Sequence, residues 1–273
     1  MPVIDFDELF LTADDLRHAG KIDEAINAYK EIAAQATEDQ ELLIKAAAFH
    51  LAGVAARKAI VGPNSSYARD AINYFEQAAA IYRTLGQEAE LGAVYRDLAI
   101  GLDAAERFDD ARENYEKSLL ILGSQSEERG QLGISYVKFG LHYYLSGDYQ
   151  RAEDYINKGL TLLKQEPEKS FFQATAMYDL ARVKAKYDQI DEAIDLAEES
   201  LSWFEADHGR RRYILRLAEL HGLLSILYYR RSETRKAKDS ARAFNHLIKT
   251  LPPIIVKVIM KELEKSTDQD SPH

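Results

Sequence analysis

Apolar positions recur along most of this chain at intervals of three and four, the spacing of one helical face, and residues 134–163 (ISYVKFGLHYYLSGDYQRAEDYINKGLTLL) show it most clearly. Tyr136, Phe139, Gly140 and Tyr143 share one face; beyond Ser146-Gly147-Asp148, Tyr149, Ala152, Ile156 and Gly159 share another. The pattern predicts two helices joined by a tight turn, with small residues where their backbones must approach. It returns along the chain. Aligned on the alanine that opens each second helix, the copies fall at Ala25, Ala71, Ala111, Ala152, Ala193 and Ala237, spaced by 46, 40, 41, 41 and 44 residues. In five copies a small residue stands twelve positions earlier: Ala13, Ala99, Gly140, Ala181 and Ser225. A fixed period with fixed small positions is the pattern of a stack of helical hairpins, each burying its apolar faces against its neighbours.

The pattern predicts six hairpins over residues 5–250. The first opens at Asp5, a helix cap with Glu8 three residues on, and its helices cover residues 6–18 and 22–35. The second departs from the rule. Its first helix runs from about Gln40 to Ile60, its best-placed small residue is Ala52, nineteen positions before Ala71, and the seven surplus residues at 61–67 predict a protruding loop around Gly62-Pro63-Asn64-Ser65-Ser66. The third spans residues 88–122 and turns at 106–109; the fourth stops before Pro167, the fifth ends near Trp203-Phe204, and the sixth begins after Asp207-His208-Gly209. A capping helix over residues 251–265 and a disordered tail over 266–273 complete the reading.

Composition narrows the class to one continuous helical body rich in helix-forming residues. With 46% apolar residues, six prolines and no cysteine, the chain has no disulfide framework, thiolate metal site or cysteine nucleophile. No stretch reaches the length of a membrane helix, and the acidic start MPVIDFDELF lacks the features of a signal peptide. A cytoplasmic location without membrane insertion is therefore expected. The net charge of −10 argues against wholesale binding to nucleic acid.

The repeated residues resemble tetratricopeptide repeats. That family places a small residue in the first helix, Gly or Asp near the turn, an aromatic two residues later and alanine in the second helix; Gly140, Gly147, Tyr149 and Ala152 meet the pattern well. Ala99, Phe108 and Ala111, then Ala13, Gly20, Ile22 and Ala25, and Ala181, Asp188, Ile190 and Ala193 meet it more loosely. The resemblance covers residues 6–250. The period sits near forty where the family's norm is about thirty-four, and the family's terminal proline is nearly absent. This looks like the extended repeats of bacterial peptide-pheromone receptors, kinesin light chains and the soluble attachment proteins of membrane fusion. The resemblance implies an all-α, right-handed superhelical solenoid whose first helices line a concave groove for peptides or proteins.

If each first helix buries its small residue and the neighbours at −4, −1 and +3, then positions −3, +1, +4 and +5 face that groove. Among them stand Phe49, Arg57, Arg96, Val137, Leu141, Tyr144, Tyr178, Arg182, Lys186, Tyr229 and Arg230. Together with Arg17, and against Asp14 and Asp103, they describe a net basic stripe with aromatic and aliphatic residues between the charges. Arginine and tyrosine are favoured at binding hot spots. The expected ligand is a protein or peptide segment carrying carboxylates, with Val137, Leu141, Tyr144 and Leu145 receiving an apolar side chain.

Two other features suggest alternatives. Residues 207–249 hold eleven cations against four carboxylates, a surplus of +7 that leaves −17 for the rest of the chain. That polarity could serve an acidic partner, RNA or a second copy. The last helix is apolar on more than one face, enough for capping and for a homodimer besides. Catalysis finds no support. His18, His50, His142, His208, His221, His246 and His273 form no metal-ligand pair, and no phosphate-loop, dinucleotide or hydrolase motif occurs. No cofactor, metal or enzyme activity is expected. His221 falls in a core row and is expected to be a hydrogen-bonded packing residue, while Asp23-Glu24, Asp109-Asp110 and Asp191-Glu192 suit the positive ends of second helices. The first hairpin begins within a few residues of position 1, so an N-terminal DNA-binding domain is not expected.

Overall fold

The computed structural model describes residues 4–37, 41–60, 62, 64–125, 127–206, 213–251 and 253–267, and every regular element among them is helical. In chain order these are α1 (Phe6–His18), α2 (Ile22–Gln35), α3 (Leu42–Lys58), α4 (Ser66–Leu85), α5 (Glu88–Ala104), α6 (Phe108–Gly123) and α7 (Arg129–Leu145). There follow α8 (Tyr149–Leu163), a 3-10 turn at Pro167–Lys169, α9 (Ser170–Lys186), α10 (Ile190–Ala206), α11 (Ile214–Arg230), α12 (Thr234–Ile248) and α13 (Pro253–Thr267). Within each unit consecutive helices pack on one another, as in the hairpins α3 with α4 and α11 with α12, and hairpin packs on hairpin through pairs such as α2 with α3 and α10 with α11. The chain divides into two compact units, Met1–Lys138 and Phe139–His273, with the division inside α7. The hydrophobic pattern alone reads one continuous body; in a repeat array each hairpin meets only its neighbours, so no single core spans the chain.

One local device ends most first helices. Gly20, Glu106, Gly147, Asp188 and Ser232 all adopt positive φ, between 58° and 85°. The amide after each reaches back to the carbonyl five residues before: Asp148 N donates to Tyr143 O at 2.9 Å, Arg107 N to Leu102 O at 2.9 Å and Glu233 N to Tyr228 O at 2.8 Å. This left-handed cap satisfies carbonyls that the helix leaves open and reverses the chain within three residues.

The aligned alanines are the hairpin contacts. Ala25, Ala71, Ala111, Ala152 and Ala193 are fully buried, and four residues further on Tyr29, Phe75, Tyr115 and Ile156 are the large side chains that fill the space between helices. Gly140 must be glycine: a Cβ there would lie 2.6 Å from Ile156 Cγ1 and 2.9 Å from the Ala152 carbonyl oxygen. Side chains of this size bury with about 1.5–3 kcal/mol each. At the end of the second unit Ile259 and Leu263 of α13 join the core of Leu220, Leu223 and Leu224, and Leu263 occupies the space above Gly222.

Asp5 does cap α1, accepting from Glu8 N at 3.2 Å. The second hairpin differs from expectation. A Cβ on Gly53 would meet the Phe75 ring at 2.7 Å, as one on Gly140 would meet Ile156, so Gly53 rather than Ala52 is the contact position and the register moves by one. The surplus loop is also shorter than 61–67, because Ser66 and Tyr67 belong to α4 and the Tyr67 hydroxyl donates to Asp23 at 2.7 Å. Within it Val61 and Pro63 lie outside the described residues, as do Gln40 at the expected start of α3 and residues 207–212. Ser266 and Thr267 close α13, and the rest of the expected tail, 268–273, lies outside the described residues.

Candidate functional site

In the first unit, α3 and α5 gather charge around Asp97. This aspartate is buried; His50 Nε2 lies 2.9 Å from Oδ2, Arg96 Nη2 3.6 Å from the same oxygen and Arg57 Nη2 3.7 Å from Oδ1. Burial opposes the charge, but Arg96, His50 and Arg57 together hold the carboxyl well below the usual carboxylate range. Arg96 is fixed from a second side, donating to Gln131 Oε1 at 2.7 Å. Arg57 is held less completely, since its Nε is buried with no hydrogen-bond partner among the described residues. Close by, the Tyr115 hydroxyl donates to Asp103 at 3.0 Å, and burial with that carboxylate pushes the phenol well up.

The second unit arranges its first helices differently. The Arg182 guanidinium lies 4.4 Å from the centroid of the Tyr144 ring and 5.6 Å from that of Tyr178, and Arg216 covers Tyr178 at 4.4 Å. The result is a column of alternating rings and guanidiniums across α7, α9 and α11, each contact worth about 0.5–2 kcal/mol. Arg216 is completed by Glu219 at 2.9 Å. Burial pushes the Tyr178 phenol up. Asp179, beneath the column and only 3% exposed, meets Arg182 at 3.8 Å, and its Oδ2 has no hydrogen-bond partner among the described residues.

The structure thus separates the stripe residues into wall and surface. Arg96, Val137, Tyr144, Tyr178 and Arg182, expected to face the groove, are buried, Arg182 with 6% of its surface exposed. Arg57, Leu141, Lys186 and Arg230 remain partly accessible and Tyr229 stands 76% exposed. Phe49 goes elsewhere, stacking on Tyr74 of its own hairpin at 6.4 Å, which follows from the one-residue register shift. Lys186 lies over the Tyr149 ring at 5.6 Å. Arg230 closes the end of α9, donating to Ala185 O at 3.1 Å and to Asp188 at 2.7 Å.

The stripe's arginines are also ion-paired, Arg17 with Asp14 at 2.5 Å, Arg57 and Arg96 with Asp97, Arg182 with Asp179 and Arg230 with Asp188. The residues that sequence reasoning missed are His50, Asp97, Asp179 and Arg216. A signal for two of them exists: Asp97 and Asp179 each stand two residues before the small residue, Ala99 or Ala181, as acids in an otherwise apolar row. His221 is partly buried rather than enclosed, and the hydrogen bond expected of it is not found at Nδ1, which has no partner among the described residues; Glu205 stands 3.9 Å from Nε2.

Family comparison adds the decisive observation for classification. The tetratricopeptide repeat model matches residues 90–165 and again 131–206. Residues 90–206 of the chain therefore carry tetratricopeptide repeats. Among curated relatives, KINESIN LIGHT CHAIN-RELATED 3 of Arabidopsis thaliana is 23% identical over 166 residues, and the chain spans 25% of that relative's length. The structure of BtubC (BKLC) from P. vanneervenii aligns with TM-score 0.65 at 16% identity over 92% of this chain and 95% of that one. A Rap protein complexed with Competence and Sporulation Factor aligns with TM-score 0.63 at 17% identity over 96% and 76%. At such identities the likeness shows the fold, a TPR-like solenoid of antiparallel helical hairpins. Among the described residues of this tetratricopeptide-repeat chain no helix is long and apolar enough to cross a membrane, and no group of three or more His, Asp or Glu could hold a metal ion.

Proposed function

We propose that this tetratricopeptide-repeat chain is a non-catalytic cytoplasmic scaffold whose first-helix face holds a protein or peptide segment of acidic character. The observation that carries the reading is the surplus of donors around Asp97: two guanidiniums and an imidazole converge on one carboxylate, and Arg57 keeps a buried N–H unused. A ligand carboxylate or backbone carbonyl would complete that set. In the second unit Leu141, Lys186, Tyr229 and Arg230 offer the accessible surface over the ring and guanidinium column. Two proteins of similar fold hold partners, a Rap protein complexed with Competence and Sporulation Factor and a Rap conjugation gene regulator in complex with the Phr* peptide, in keeping with this reading.

The test is an array of synthetic acidic peptides probed with the wild type and with Arg57→Glu/Lys186→Glu. Lys186 is partly accessible, whereas Arg57 is an ion-pair partner of buried Asp97, so circular dichroism must show the double variant folded before capture is read; Arg182→Glu would test folding alone, because that guanidinium is buried. Loss of a charge-assisted contact should weaken capture about tenfold or more. Unchanged capture by the double variant would remove this face as the site.

A further inference from the structure

The first helix of the first unit and the last two helices of the second carry exposed charges of opposite sign that have no ion-pair partner among the described residues. On α1, Asp7, Glu8 and Asp15 are exposed, and none has an ion-pair partner among the described residues. On and beside α12 and α13, Arg235, Lys238, Lys249, Lys257 and Lys261 are exposed in the same condition. Both helices are also incompletely covered. Of α1 only Ala13 is buried, and Ile4 and Leu11 remain 42% and 68% exposed. α13 buries Ile259 and Leu263 but leaves Val258 and Met260 45% and 44% exposed. Each surface is therefore an apolar strip bordered by a surplus of one sign of charge; on the second, Asp239 is paired with Arg242 and Glu264 stands near Lys257 and Lys261, and the balance remains basic.

From these observations we infer that the chain associates head to tail, α1 of one copy docking on the α12–α13 surface of the next. Charge complementarity selects this occupant. An isologous contact of α1 with α1 would set carboxylate against carboxylate, and one of α13 with α13 would set lysine against lysine, each repulsive. A contact between two different surfaces is heterologous, so it can grow beyond a dimer. The inference is independent of the groove: it uses none of the residues proposed to hold a peptide.

Sedimentation velocity of the full chain over a concentration series tests it, at low salt, where screening lengths exceed about 10 Å, and near 1 M, where they fall to about 3 Å. The average mass should rise with concentration at low salt and return to that of the monomer at high salt. Asp7→Lys/Asp15→Lys and Lys257→Glu/Lys261→Glu should each be monomeric, with circular dichroism unchanged because all four residues are exposed. Mixing the two variants should restore association, since each then presents the charge the other lacks. A wild type that stays monomeric at low salt, association that survives both reversals, or a mixture that remains monomeric would each overturn the inference.

Discussion

Asp97 and Asp179 occupy the same place in the third and fifth hairpins, yet their surroundings are opposite. Asp97 has His50, Arg57 and Arg96; Asp179 has Arg182 at 3.8 Å and a bare Oδ2. The difference is set one hairpin earlier. Relative to the glycine contact position, α3 supplies His50 and Arg57 at −3 and +4, whereas α7 carries Val137 and Tyr144 at those places. The first unit therefore builds an ionic hub and the second a stack of rings and guanidiniums. A repeat fold permits this because the backbone contacts reside in alanine and glycine, leaving the facing positions free to differ.

The comparison is most directly broken at the hub. Asp97→Ala leaves the buried Arg96 cation and the half-buried Arg57 cation without their counter-charge and should cost about 3–5 kcal/mol, read from the urea midpoint by circular dichroism. Asp179→Asn should cost about 1 kcal/mol or less, since the carboxylate it replaces is poorly satisfied. Equal losses at the two sites would show that the contrast has no energetic meaning.

The glycines sharpen it next. Gly140 faces backbone atoms of α8, which cannot turn aside, while Gly53 faces the Phe75 ring. Gly140→Ala should cost about 3 kcal/mol, near the upper end for overpacking, and Gly53→Ala about 1 kcal/mol, near the lower. Reversal of that order in thermal unfolding would contradict the assigned contacts.

Acid should separate the units. His221 in the second unit has its pKa lowered by burial, so the unfolded chain binds the proton first and stability falls as pH drops below about 6.5. Asp97 in the first unit has a lowered pKa as well, but its contribution is complete above about pH 4 and is lost only as pH falls through the carboxylate range. Trp203, the single tryptophan, packs in the second unit against Phe204 and Tyr213 and reports that unit. Its urea midpoint should fall between pH 7 and 5, and His221→Leu should remove the dependence. A midpoint that stays constant in the wild type would place the sensitivity elsewhere.

The smallest effect concerns the turns, which both units share. Glu106→Gly and Ser232→Gly relieve a side chain at positive φ and should each stabilise by up to about 1 kcal/mol, the gain being reduced by the greater freedom of glycine in the unfolded chain. Destabilisation in denaturant melts would mean that the replaced side chains make contacts outweighing the strain.

Helices, turns and hairpin contacts were legible in the sequence because each rests on local rules. A helical hydrogen bond spans four residues, an apolar face repeats every 3.6, and a Schellman cap needs only a residue that tolerates positive φ; Gly20, Gly147, Ala152 and Tyr149 announce all of this within short windows. Hairpin two was misread by one residue because its surplus loop hides the spacing between Gly53 and Phe75. The stripe was only half legible. Helical phase told which residues share a face, but whether Tyr144, Tyr178 and Arg182 meet solvent depends on side chains arriving from the neighbouring hairpin. The pairing of charges was decided there too: His50 meets Asp97 across 47 residues and Arg230 meets Asp188 across 42. Local periodicity fixes a helix and its direction of burial; the partner of a buried charge is chosen by whichever side chain the tertiary structure brings within about 4 Å, and no spacing in the sequence records that distance.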